Sequence, residues 1–127
     1  MIFTLILGTA TPGGGFPVFG AAYTEALAAQ EPRLRIETRN TKGSTENVPL
    51  LEAGKIDLGL VAGELAAAAL AKPGTELRII AAMYSSPGMF IVRADSPVQR
   101  IADLVGKPVV LGTQGSGITV LGRLVLS

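Results

Sequence analysis

Three short clusters of glycine and hydroxyl residues carry the binding chemistry this chain has to offer. They are Thr9-Ala10-Thr11-Pro12-Gly13-Gly14-Gly15, Lys42-Gly43-Ser44-Thr45-Glu46-Asn47 and Thr113-Gln114-Gly115-Ser116-Gly117. Each leads into a stretch whose apolar spacing predicts a helix. The first amides of a helix have no partner within it, and the aligned peptide dipoles leave partial positive charge there, so hydroxyls at that point add donors for a small anion such as a carboxylate. The candidate contacts are therefore Thr9, Thr11, Gly13, Gly14 and Gly15; Gly43, Ser44, Thr45 and Asn47; and Thr113, Ser116 and Gly117, with Thr119 as a further donor. Tyr84, between an apolar run and the turn Ser85-Ser86-Pro87-Gly88, offers a ring as a pocket wall and a hydroxyl as a donor.

Plainer readings compete at each place. The first cluster reads equally as a tight turn, and its spacing matches neither the dinucleotide fingerprint nor the phosphate loop, which ends in Gly-Lys-Ser/Thr. For the second, the alternative is helix capping, with a Ser44 or Thr45 hydroxyl satisfying a first-turn amide. The third is also compatible with a simple turn, and Tyr84 with core packing. Lys42 could meet a carboxylate but reads better as solvated, and Glu64 could select an amine but reads better as a first-turn residue favoured by the dipole.

The chain has 127 residues, no cysteine and no histidine. That removes thiolate nucleophiles, disulfides, Cys or His metal sites and Ser-His-Asp triads, so neither an enzyme nor a metal or cofactor is expected. A net charge of +1 with 5% aromatic residues leaves no basic face and little stacking surface, which argues against nucleic acid. The apolar run from Leu58 to Ala71 is interrupted by Glu64 and falls short of the roughly 20 residues a bilayer requires. Met1 to Gly8 reads as a first strand rather than a signal peptide, since no basic residue precedes it and a glycine-proline loop follows.

The elements that must position the clusters follow from periodicity. Strands are predicted at Phe3–Leu7, Leu34–Thr38, Ile56–Val61, Leu77–Ala82, Met89–Val92 and Pro108–Leu111. Helices are predicted at Phe19–Gln30, at Ser44–Ala53 closed by Gly54, at Glu64–Ala71, after Pro97, and at Thr119–Leu126. Pro49 is placed at about the first turn of its helix or just beyond, where a missing amide costs little. Alternating strands and helices predict an α/β fold with a mainly parallel sheet covered on both faces, in three layers. The polar segment 93–97 is the predicted boundary between a first ligand-binding lobe, residues 1–93, and a hinge with the start of a second lobe, residues 94–127. Leu7-Gly8-Thr9 before Gly13 to Gly15 is echoed by Leu111-Gly112-Thr113 before Gly115 to Gly117, as two facing lobes would require. Too little of the second lobe is present for a core of its own, so the chain is expected to be cut short.

These segments resemble the extracytoplasmic solute receptors of the TAXI branch of tripartite ATP-independent periplasmic (TRAP) transporters, whose fold is that of periplasmic binding proteins. The resemblance is carried by Gly8 to Gly20, Gly43-Ser44-Thr45-Glu46-Asn47, Leu50 to Leu58, Tyr84, and Ile101 to Val110 ending in Gly115-Ser116-Gly117. It implies a longer, two-lobed, periplasmic or extracytoplasmic receptor. Such a receptor closes on a small anionic or zwitterionic solute, a glutamate-like amino acid or a dicarboxylate, and delivers it to membrane transporter subunits. The alternatives are a binding protein of an ABC importer and the effector-sensing domain of a LysR-type transcription regulator, although no helix-turn-helix precedes Met1. Enzymes on this fold depend on a cysteine-borne cofactor or histidine chemistry. A homodimer through apolar surface left uncovered is also expected to be possible.

Overall fold

A computed structural model of the protein describes residues 1–85 and 87–127. The first half is a regular alternation: β1 (Phe3–Gly8), α1 (Gly15–Gln30), β2 (Leu34–Arg39), α2 (Ser44–Glu52), β3 (Leu58–Gly59) and α3 (Gly63–Leu70). The strands form one parallel sheet in the order β2-β1-β3, with Phe3 opposite Leu34 and Gly8 opposite both Arg39 and Gly59. The chain leaves β1 toward one side and β3 is added on the other. With right-handed crossovers this sends α1 and α2 to opposite faces and opens a topological switch point between the carboxyl ends of β1 and β3.

Local chemistry explains the boundaries. Gly14 and Gly15 are recruited to the start of α1, which begins at Gly15 and not at Phe19 as periodicity predicted. At the far end of α2, Gly54 takes a φ of 63°. Its amide bonds the Leu51 carbonyl at 3.0 Å and that of Lys55 bonds Leu50 at 2.9 Å, the paired closure that favours glycine after a helix. Pro49 lies in the second turn, inside α2, so the Thr45 carbonyl lacks its usual amide donor from four residues on. The strand predicted over Ile56–Val61 reduces to Leu58–Gly59, because the Asp57 carboxylate rather than a strand carbonyl takes the Ile6 amide at 2.8 Å.

The interior is small, and its apolar part holds Leu7, Val48, Ile56, Leu60 and Ala69. The largest fully enclosed side chains are polar: Asn47, Thr9 and Ser44. Burying polar groups is tolerable only when each is hydrogen-bonded. Among the described residues no buried side-chain nitrogen or oxygen lacks a partner.

Beyond α3 the predictions and the structure part. Leu77–Ala82, Met89–Val92 and Pro108–Leu111 join no ladder, and the helix predicted after Pro97 is a single 3-10 turn, Ile101–Leu104. A strand exists only where another strand completes its hydrogen bonds, and the two-residue β3 edge gives these runs little to extend. Ile80, Ile91 and Val110 are consequently exposed. The chain regains regular structure in α4 (Gly117–Leu126), against whose Leu121 Gly88 is packed.

Surface charge contributes little. Glu31 is held below the usual carboxylate range by its side-chain hydrogen bond from Arg33, at 2.9 Å, and Asp95 by Arg93 in the same way. A lowered carboxylate gives stability that is present above its unfolded value, about 4.3 for Glu, and lost as pH falls through the folded value. Both pairs face water, where screening leaves them weak. Arg33→Ala is therefore expected to leave the melting temperature at pH 7 almost unchanged and to abolish the small extra loss that wild type suffers below pH 4. Thermal melts of both proteins across that range check this.

Candidate functional site

The carboxyl edge of the sheet gathers most of the polar residues singled out above. β1 delivers Thr9, the loop before α2 delivers Thr41 to Thr45, and β3 delivers Leu60 to Ala62 at the start of α3. Asn47, one turn into α2, reaches back beneath them. Its Nδ2 donates to the carbonyls of Thr9 and Leu60, each at 2.8 Å, with the Gly8 carbonyl also at 3.2 Å. Its Oδ1 accepts from the Thr41 hydroxyl at 2.8 Å, and Thr41 Oγ1 accepts from the Gly43 amide at 3.0 Å. The Thr9 hydroxyl donates to the Arg39 carbonyl at 3.1 Å. Thr9 and Asn47 thus spend their polar atoms within the protein.

Ser44 and Thr45 do not cap their own helix. No side chain at the residue before α1, α2, α3 or α4 bonds an amide of its first turn. Ser44 Oγ instead accepts from the Ala62 amide at 2.9 Å, tying the start of α2 to that of α3. The Thr45 hydroxyl donates to the Gly115 carbonyl, reaching the loop that opens α4. A methyl group placed on Gly117 would lie 3.1 Å from Ala62 Cβ and 3.3 Å from Ser44 Oγ. Three helix starts, of α2, α3 and α4, therefore meet within van der Waals reach. Gly43, with φ of 96°, makes the sharp entry to α2 that brings this about. Glu46 serves the same loop, its Oε2 accepting from the Lys42 amide at 2.6 Å.

The other candidates lie around this junction. Thr11 accepts the Gly14 amide at 3.1 Å through its carbonyl, closing the glycine turn, and Gly13 is exposed. Gly15 faces Tyr84, whose hydroxyl would be 3.6 Å from a methyl group there, and the Tyr84 ring lies 4.7 Å from that of Phe19. Tyr84 is 47% exposed and so is not core. Thr113 and Ser116 are organised by Thr119, whose Oγ1 sits 2.8 Å from the Thr113 carbonyl and 3.0 Å from Ser116 Oγ. Lys42 and Glu64 are exposed, with Glu64 in the first turn of α3. Two open depressions lie away from this junction. One, bordered by Ile2, Thr24, Glu25 and Arg35, is at the amino edge of the sheet, and another lies by Val92 to Pro97; neither has converging helix starts. Among the described residues there is no cluster of acidic side chains able to hold a metal ion.

Sequence reasoning missed Thr41 and the Leu60 carbonyl. The usable signal was a threonine two residues ahead of the glycine that opens α2, a position from which a hydroxyl reaches back to that glycine's amide.

With this geometry in hand, residues 7–127 match the model of the NMT1-like family. The chain belongs to that family. The NMT1-like family is periplasmic-binding-protein-like, which agrees with a small parallel sheet and helices whose starts share one edge. Such chains are typically periplasmic, and among the described residues no helix is long and apolar enough to cross a membrane. No solved structure matches this NMT1-like chain.

Proposed function

We propose that this NMT1-like chain captures a small carboxylated solute, a glutamate-like amino acid or a dicarboxylate, without chemical turnover. It then passes the solute to membrane transporter subunits of the TAXI-type TRAP class. The observation that carries the reading is the junction of the α2, α3 and α4 starts, where Thr45 meets Gly115 and Gly117 seats against Ser44 and Ala62. Uncapped helix starts supply amides and partial positive charge, the ordinary means of holding a carboxylate without a reactive side chain. On this reading Thr45, Thr11, Ser116 and Tyr84 turn toward the solute, while Thr9 and Asn47 build the floor. In the arrangement described, the Gly115 carbonyl takes the Thr45 hydroxyl; a carboxylate entering the junction competes for that donor.

Calorimetry of the protein against a panel of amino acids and dicarboxylates tests this. Heat is expected with at least one carboxylate and not with its amide analogue. Thr45→Val is expected to weaken that binding about tenfold, the equivalent of losing one hydrogen bond of about 1.4 kcal/mol. Absence of heat with every carboxylate overturns the reading.

A further inference from the structure

We propose that Asn47 is a positioning residue, a buried clamp that sets the spacing between the two sides of the switch point on which the solute-binding reading rests. The carboxyl end of β1 lies on one side of that crevice and the carboxyl end of β3 on the other. Asn47 is fully enclosed and bonds both, through Thr9 O and Leu60 O at 2.8 Å each. Through Thr41 it also holds the exit of β2 and the Gly43 amide at the entry to α2. A primary amide is the one side-chain group that offers two donors and an acceptor on a single short stem. Here both donors face carbonyls and the acceptor faces a hydroxyl.

Two glycines make room for it. A methyl group on Gly8 would come within 2.6 Å of Asn47 Oδ1, and one on Gly59 within 3.3 Å of Asn47 Cβ. Gly8 and Gly59 are direct neighbours across the β1–β3 ladder, so the sheet has a side-chain-free notch at the place the amide occupies. The rest of the edge follows from it, since Ser44, one turn earlier on α2, then meets the Ala62 amide at 2.9 Å.

Residue-resolved amide hydrogen exchange tests the clamp, using Thr41→Val, which removes the hydroxyl facing Asn47, and Thr41→Ser, which keeps it. Thr41→Val is expected to accelerate exchange at least tenfold at Gly43, Leu60 and Ala62 together. The amides of Phe3, bonded to Arg33 at the other end of the sheet, and Lys55, at the end of α2, are expected to change little. Thr41→Ser is expected to restore wild-type rates. The clamp is overturned if Gly43 alone responds, if Phe3 and Lys55 accelerate by the same factor, or if Thr41→Ser behaves as Thr41→Val. Should Thr41→Val not fold, wild-type exchange in rising urea decides. Opening of Gly43, Leu60 and Ala62 as one unit supports the clamp, and opening at separate urea concentrations refutes it. No solute enters the experiment, so its failure is separate from failure of the calorimetry.

Discussion

Asn47→Asp is expected to destabilise the protein far more at pH 7 than at pH 4. The substitution keeps the shape of the side chain and reverses its polarity: where Nδ2 donates to Gly8, Thr9 and Leu60 carbonyls, the variant presents a carboxylate oxygen. Burial and facing carbonyl oxygens both disfavour the ionised form, so the introduced carboxyl has a pKa raised above its unfolded value of about 3.9. The sign then follows from linkage. Well below pH 4 the group is protonated in both states and costs only its mismatched hydrogen bonds. As pH rises, the unfolded chain releases the proton and the folded one resists, so stability falls until the raised folded value is passed. Asn47→Ala has no such pH dependence; it strips the Leu60 carbonyl of its donor, while the Gly8 carbonyl keeps the Leu60 amide at 3.0 Å and the Thr9 carbonyl the Thr41 hydroxyl at 3.2 Å, and with the cavity left behind the loss is about 2–4 kcal/mol. Against a total of about 5–15 kcal/mol, that is enough to leave a marginal protein partly unfolded. Urea midpoints of the wild type and both variants at pH 4 and pH 7 settle the matter. A gap between wild type and Asn47→Asp that is equal at the two pH values would refute the account.

The second large effect is expected from a single added methyl group at the end of β1. Gly8 is buried, and its new Cβ would stand 2.6 Å from Asn47 Oδ1 and 2.7 Å from Ile56 Cδ1. Both neighbours are enclosed, and Ile56 is only 3% exposed, so neither has open space into which to retreat. The backbone of Gly8 is not among the positive-φ glycines, so the cost is steric overpacking rather than conformational, about 1–3 kcal/mol. In a domain of this length that lowers the melting temperature by roughly 10 °C. Gly63→Ala is the matched control. It adds the same methyl group at the first residue of α3, where nothing lies within 4 Å, and is expected to be neutral or slightly stabilising. Differential scanning calorimetry of the two variants compares them directly. Equal melting temperatures would show that the notch around Asn47 yields more easily than its contacts imply.

What could be read from the sequence was the local part of the fold. Phe3 to Leu7 and Leu34 to Thr38 became strands, and Ser44, Glu64 and Gly54 marked helix boundaries, because each signal resides within a few neighbouring residues. Leu77–Ala82, Met89–Val92 and Pro108–Leu111 carried an equally good strand pattern and formed none. A ladder needs a partner, and no property of an apolar run records whether one is in place. The candidate site shows the same division. The glycine and hydroxyl clusters were identifiable as helix starts, and the structure brings those of α2 and α4 together. Asn47 read as a ligand contact at a helix start, because its neighbours in sequence are a glycine and two hydroxyl residues. Its enclosure depends on Gly8 and Gly59, which lie far from it along the chain and adjoin it only once β1 and β3 have paired. Ser44 was weighed as a cap and Thr45 as another, whereas both bridge to separate loops, contacts with sequence separations of 18 and 70.

The parallel register has a kinetic corollary. Phe3 sits opposite Leu34 and Leu7 opposite Leu58, so no two neighbouring strands of the sheet can be joined by a short hairpin. As the polypeptide leaves the ribosome, β1 has no partner until about residue 39 has emerged, and its far side stays open until residue 59 follows. Pairing across such distances pays loop-closure entropy before any contact repays it, which makes folding slow. The amide of Asn47 can find its last acceptor, Leu60, only at the end of that sequence, so the final locking of the edge coincides with completion of the sheet rather than preceding it.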